Sequence, residues 1–257
     1  VVNLTVNPWA DGTTSFHHKS IGGYHGVKLR RYQDLIEAYL SPSLQNIITV
    51  LNSRPTAQKV DSVMAAQLVL NMFNTKYLIL NPSSSPLQNP AAMGHGWLVQ
   101  DIKVLDSPDE VFLALGNTDL RRTALVNKEF ASLVSENMNH REVTGQVELT
   151  DYKPNHMTYR VTAGQQSLAV FSEVYYGDSW QAYIDCEAVP HLRANYILRS
   201  LPVDEGTHTV ELKFVFKHFE IGEKVSLAGS ILVLLLLLGG AGYSIFVKQR
   251  RESEEEA

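Results

Sequence analysis

The stretch VSLAGSILVLLLLLGGAGYSIFV, residues 225–247, decides how this chain is laid out. It carries no charged residue, and only Ser, Gly and Tyr interrupt its apolar character. About 20 apolar residues let a helix cross a ~30 Å hydrocarbon core, so the run is long enough to span one. Its position near the C-terminus separates it from a secretory leader. The expectation is a membrane anchor, with the rest of the chain on one side. Lys248, Arg250 and Arg251 follow the run directly, whereas Lys217 and Lys224 before it are mixed with Glu220 and Glu223. Lys and Arg accumulate on cytoplasmic flanks and acids count for little, so residues 1–224 are expected to be extracytoplasmic and 248–257 cytoplasmic.

Outward from the anchor, the remaining residues are enough for two modest domains with their own cores. The formal net charge of −5 argues against bulk nucleic-acid binding. Cys186 is the single cysteine, which rules out an intrachain disulfide and a cysteine-rich metal site. The chain opens Val-Val-Asn without an export signal. An extracytoplasmic domain needs one, so the expectation is either a removed signal or the C-terminal piece of a longer, multi-spanning protein.

The two halves of the soluble part differ in period. In residues 1–134, expected to be a mixed α/β region, Leu29, Tyr32, Ile36, Tyr39 and Leu40 form a helical stripe that Ser41-Pro42 closes. A second helix is expected from Asp61, with Met64, Leu68, Met72 and Phe73 on one face. KYLIL (76–80) and residues 97–105 read as strands, and residues 108–115 as a short helix. In residues 143–220, Val147/Leu149, Met157/Tyr159/Val161, Trp180/Ala182/Ile184 and Val210/Leu212/Phe214/Phe216 alternate apolar with polar. Turn-forming groups separate these runs, which is the pattern of an antiparallel β-sandwich. The fold class expected is therefore α+β, with a boundary near 134–144 and one C-terminal transmembrane helix.

The densest polar group is FHHKSIGGYHGVKLRRY, residues 16–32. It gathers His17, His18, Lys19, Tyr24, His25, Lys28, Arg30 and Arg31 around Gly22, Gly23 and Gly26, where cations and exposed N–H groups suit an anion. The competing reading is a solvated basic helix whose loop needs glycine geometry. No metal is expected, because the histidine spacing matches no standard ligand pair and no carboxylate accompanies it. No cofactor motif is present: the glycines lack the dinucleotide spacing, and neither a P-loop nor G-x-S-x-G occurs. Tyr175 and Tyr176, beside Gly177, are candidates for stacking on a sugar ring, while Trp180 alternates with core residues.

HHKSIGGYHGVKLRRYQDLIE (17–37), LNMFNTKYLI (70–79) and SEVYYGDSWQAYIDCEAVPHLRANYILRSLPVDEGTHTVELKF (172–214), followed by a final span, resemble the C-terminal part of YfhO-family bacterial membrane proteins. The blocks cover almost the whole chain in the expected order. The resemblance implies a polytopic protein similar to GT-C glycosyltransferases in the bacterial cytoplasmic membrane. It implies transfer of a sugar from a polyprenyl-phosphate carrier to an envelope glycan acceptor, with the missing N-terminal membrane core as an intramolecular partner. It carries over no catalytic residue, because the catalytic carboxylate of such enzymes lies in an early loop. One departure is Cys186, where relatives more often have an Asp-Gly turn; Cys tolerates positive φ poorly. The alternative is a non-catalytic anchored module that binds a glycan or partner.

Overall fold

A computed structural model describes residues 1–24, 26–139, 142–215 and 217–255. The fold is mixed α+β: an N-terminal α/β region, antiparallel sheets and a long apolar C-terminal helix. Two units are compact by themselves, Val1–Lys213 and Phe214–Ala257.

In the first unit, β1 (Val2–Asn3) is followed by a short helix α1 (Thr13–His17), then by α2 (Arg30–Leu35). A π-helical turn, Ile36–Leu40, leads directly into α3 (Ser41–Asn52). The helical path therefore continues through Pro42 where the sequence implied a stop. Proline lacks an N–H and its ring crowds the carbonyl four residues earlier, and the wider π turn relieves that conflict. Helix α4 (Ala57–Ala65) begins at a Thr56 cap, whose side chain accepts from Lys59 N–H, so Asp61 lies inside the helix. A break at Ala66-Gln67 separates it from α5 (Leu68–Met72). The chain then forms β2 (Tyr77–Ile79) and β3 (Leu87–Gln88), which complete a three-stranded sheet in the order β1-β2-β3. The buried side chain of Asn71 donates to Met64 O and accepts from Asn89 Nδ2, both at 2.8 Å, tying the Pro/Ser-rich loop to the helices.

Residues 97–105 divide between β4 (Gly96–Leu98) and β5 (Asp101–Leu105). After α6 (Pro108–Ala114, capped by Ser107) come β6 (Thr123–Asn127), β7 (Gly145–Lys153), β8 (His156–Ala163) and β9 (Ser167–Val174). The remaining strands are β10 (Trp180–Ile184), β11 (Glu187–Val189), β12 (Leu192–Ala194), β13 (Leu198–Val203) and β14 (Gly206–Phe214). They make a five-stranded sheet, β11-β10-β14-β8-β7, and a six-stranded one, β4-β9-β13-β12-β6-β5. The second sheet draws strands from both sides of residues 134–144. Only Val99 and Gln100 join β4 to β5, the two ends of that sheet order. Two residues reach at most about 10 Å, so the sheet must curl until its ends approach.

The six-stranded sheet is the middle layer. Along β9, Leu168 and Val170 enter the core shared with Leu35, Leu40, Ile47 and Leu70 of the helical region. Ala169 and Phe171 point the other way, meeting Met157, Tyr159, Val210 and Leu212 of the five-stranded sheet. The sandwich thus forms between the sheets, and the helices cover the far face of one of them.

Two tight connections place non-glycine residues at positive φ. Asp185 (50°) and Cys186 (73°) form the two-residue turn between β10 and β11, closed by the Ile184–Glu187 pair. Asn195 (48°) and Tyr196 (71°) lie between β12 and β13.

The second unit is built on α7 (Lys217–Glu255), of which Ile221–Ser244 is long and apolar enough to cross a bilayer.

Candidate functional site

The parity that splits β9 between two cores also places Glu173 on the same face as Ala169 and Phe171, beyond the last of them. On β13, Arg199 shares the inter-sheet face with Leu201 and Val203, in register with Phe171 and next to a bulge at Leu198/Arg199. Both charges therefore stand at the open end of the sandwich. The facing sheet contributes Tyr152 from β7 and Trp180 from β10, and the N-terminal loop brings Lys19. Together they line a cavity of about 1190 Å³ with Lys28, Lys76, His95, His17 and His18.

Arg199 is 1% exposed. Its Nη2 donates to Val174 O at 2.8 Å, and its guanidinium carbon lies 4.2 Å from the Trp180 ring centroid. Nε and Nη1 are buried without a hydrogen-bond partner among the described residues. Burial brings the Arg199 pKa down to about 10, against the opposing pull of the Glu173 carboxylate. Burial likewise raises Glu173 above the ordinary glutamate range, partly countered by Arg199 and Lys19. Lys19 is lowered by desolvation, with Glu173 opposing, and its Nζ sits 2.9 Å from the Tyr152 ring centroid. Desolvation and the ammonium groups of Lys19 and Lys76 hold His95 below the usual imidazole range. One carboxyl group of raised proton affinity thus lies in a cation-rich, aromatic-walled cavity. Such a site can pair an anion and hold a proton near it.

The basic segment is divided by the structure. His17, His18, Lys19 and Lys28 line the cavity, and Lys28 Nζ also donates to Trp9 O at 3.0 Å. Arg30 turns outward and pairs with Asp34 one helical turn away, at 2.9 Å. Arg31 stacks on Tyr196, 4.6 Å from its centroid, while the Tyr196 hydroxyl donates to Asp34 at 3.0 Å. Arg31 and Asp34 thus clip α2 to the β12–β13 connection, and neither arginine is among the cavity-lining residues. Tyr24 is exposed and also outside the lining, and His25 lies outside the described residues. Gly22 answers to its own backbone: a Cβ there would stand 2.1 Å from Pro8 O, and Gly23 N–H donates to that same oxygen.

Of the paired tyrosines, Tyr176 lines the cavity. Tyr175 turns toward Phe130, His191 and Arg193. Trp180 packs partly against the sandwich core, as its alternation implied, and also forms cavity wall. Glu173, Arg199, Lys76, His95 and Tyr152 were not singled out by sequence reasoning. The legible signal was a charge at the end of an apolar strand run, SLAVFSE and YILR. Among the described residues no cluster of His, Cys, Asp or Glu is arranged to hold a metal ion.

No known family, curated protein or solved structure matches this chain.

Proposed function

We propose that this chain is the extracytoplasmic C-terminal portion of a YfhO-like membrane protein, anchored by its apolar helix. In this reading its cavity holds the sugar-phosphate part of a polyprenyl-linked sugar bound for an envelope glycan. The observation that carries the reading is the cavity wall, where Lys19, Lys28, Lys76 and the histidines surround aromatic faces. Ammonium groups suit a phosphate, and Tyr152 and Tyr176 offer apolar faces to a sugar ring. The Lys and Arg residues after the span support the orientation.

A second reading is a non-catalytic glycan-binding module. It is favoured by Tyr152, Tyr176 and Trp180 in the same cavity wall, since aromatic faces can stack on a sugar ring with no reaction following. Both readings require ligand binding. The test is titration of a polyprenyl-phosphate-linked hexose against the full chain in nanodiscs. Lys19→Ala with Lys76→Ala should weaken binding at least about tenfold, the loss expected for charge-assisted contacts. No binding of this ligand by the unaltered chain would sink the first reading, and no binding of a free envelope glycan either would sink the second. Binding with no sugar transfer by the complete parent protein would favour the module.

A further inference from the structure

The loop that supplies Lys19 and Lys28 to the cavity carries a second feature that ligand binding does not use. Phe16 is 85% exposed, Val27 93% and Tyr24 72%. Phe16 and Val27 line the cavity together with the half-exposed Leu29, so these exposed apolar groups stand at its rim. A compact fold gains nothing from leaving such side chains in water, and clustered exposed apolar groups mark a contact surface. The same segment has no acidic residue between Asp11 and Asp34, and after Arg30 pairs with Asp34 it keeps the positive charges of Lys19, Lys28 and Arg31. Apolar side chains interleaved with cations are the composition of a surface that lies in a bilayer interface.

We propose that the loop carrying Phe16, Tyr24 and Val27 docks on an anionic lipid surface, with these three side chains entering the interface. Two observations select lipid as the occupant. The charge of the segment is complementary to acidic headgroups, and the chain carries its own membrane-spanning candidate, which keeps a bilayer at high local concentration. A cavity whose mouth rests on lipid would receive a membrane-held ligand without passage through water. The proposal depends on the anchor and not on the identity of the cavity's ligand, so failed ligand binding leaves it standing.

The experiment uses the full chain with Cys186→Ser, which removes the one native thiol, and a bimane label at Val27→Cys. Nanodiscs are prepared from phosphatidylcholine alone or with phosphatidylglycerol at about one lipid in three, with brominated acyl chains as quencher. A label at Leu113→Cys is the control: Leu113 is 68% exposed, but on α6 beside Asp109 and Glu110. Incorporation into nanodiscs reports the anchor independently. The expected result is blue-shifted, bromolipid-quenched emission at position 27, stronger with phosphatidylglycerol and weakened by salt, with position 113 unquenched. Equal quenching at both positions, or none at 27, overturns the proposal. A blue shift at 27 without bromolipid quenching also overturns it, because a protein surface would then be the occupant.

Discussion

The two sheets of the sandwich have similar strands and opposite sequence signatures. In the five-stranded sheet, β8 reads His-Met-Thr-Tyr-Arg-Val-Thr-Ala, with Met157, Tyr159, Val161 and Ala163 buried and Arg160 exposed. In the six-stranded sheet, the first five residues of β9, Ser-Leu-Ala-Val-Phe, are all buried. One sheet has a single neighbour and the other has two, and a strand covered on both faces loses its alternation. The lesson is that the strand least conspicuous by period sits at the centre of the unit. That strand also carries the charge at the cavity.

The comparison breaks most visibly in the core. Phe171→Ala should cost about 3–5 kcal/mol and Leu168→Ala about 2–5 kcal/mol, although they face opposite sides of β9. Arg160→Ala on the open face of β8 should stay within about 0.5 kcal/mol. Denaturant unfolding of the three variants checks this, and a harmless Leu168→Ala would contradict two-sided burial.

At the end of the same layer, Arg199→Met should cost about 2–3 kcal/mol, because Glu173 loses its main compensating cation. Adding Glu173→Gln should recover part of that loss in a double-mutant cycle, while a purely additive cycle would show that the two groups do not interact. Glu173→Gln alone has a definite pH signature. A carboxyl group whose folded pKa is raised is favoured in its protonated form, so that contribution is present at low pH and lost as pH rises through the raised value. The Gln variant should therefore gain stability relative to the parent as pH climbs from the ordinary glutamate range through the raised value. Melting temperatures across that window measure it.

A smaller contrast lies in the two strained turns. Cys186→Gly should stabilise by about 0.5–1 kcal/mol, because Cys186 is exposed and only its backbone strain is relieved. Tyr196→Gly should destabilise, since Tyr196 packs on Phe112 and holds Arg31 and Asp34. Opposite signs in calorimetry separate a turn that merely tolerates its residue from one that uses it.

The smallest effect belongs to His208 and Asp185, 2.7 Å apart beside the first turn. A hydrogen bond with His208 is the main cause of the lowered Asp185 pKa, and the same contact raises His208. The Asp185 part is complete above its ordinary 3.8 and fades as pH falls through the lowered folded value. The His208 part is complete below 6.5 and fades as pH rises through the raised folded value. Asp185→Asn should flatten the melting profile at both ends, and an unchanged profile would remove the pair from the stability account.

Much of this was legible residue by residue. β7, β8, β10 and β14 announced themselves by alternation, and the turns between strands by Pro, Gly and Asp. β9 and β13 did not, because their apolar runs carry no period. The two-residue corner at Val99-Gln100 was hidden within one apolar stretch. At the site, the charge-rich loop conspicuous in the sequence supplies His17, His18, Lys19 and Lys28 to the cavity wall. Composition had no means of showing that Arg30 and Arg31 turn away, since that depends on Asp34 and on Tyr196, which is distant in sequence. Glu173 and Arg199 were in view in the sequence but became neighbours only through the pairing of β9 with β13.

The sequence by itself determined the long apolar helix, the α+β class and most of the outer strands, because length, hydropathy and period are local properties. The tertiary structure decided which sheet lies in the middle, which cations face the cavity and how Glu173 and Arg199 come to line it together. Those outcomes depend on strand register and on contacts between residues far apart in the chain, and no local window of sequence contains them.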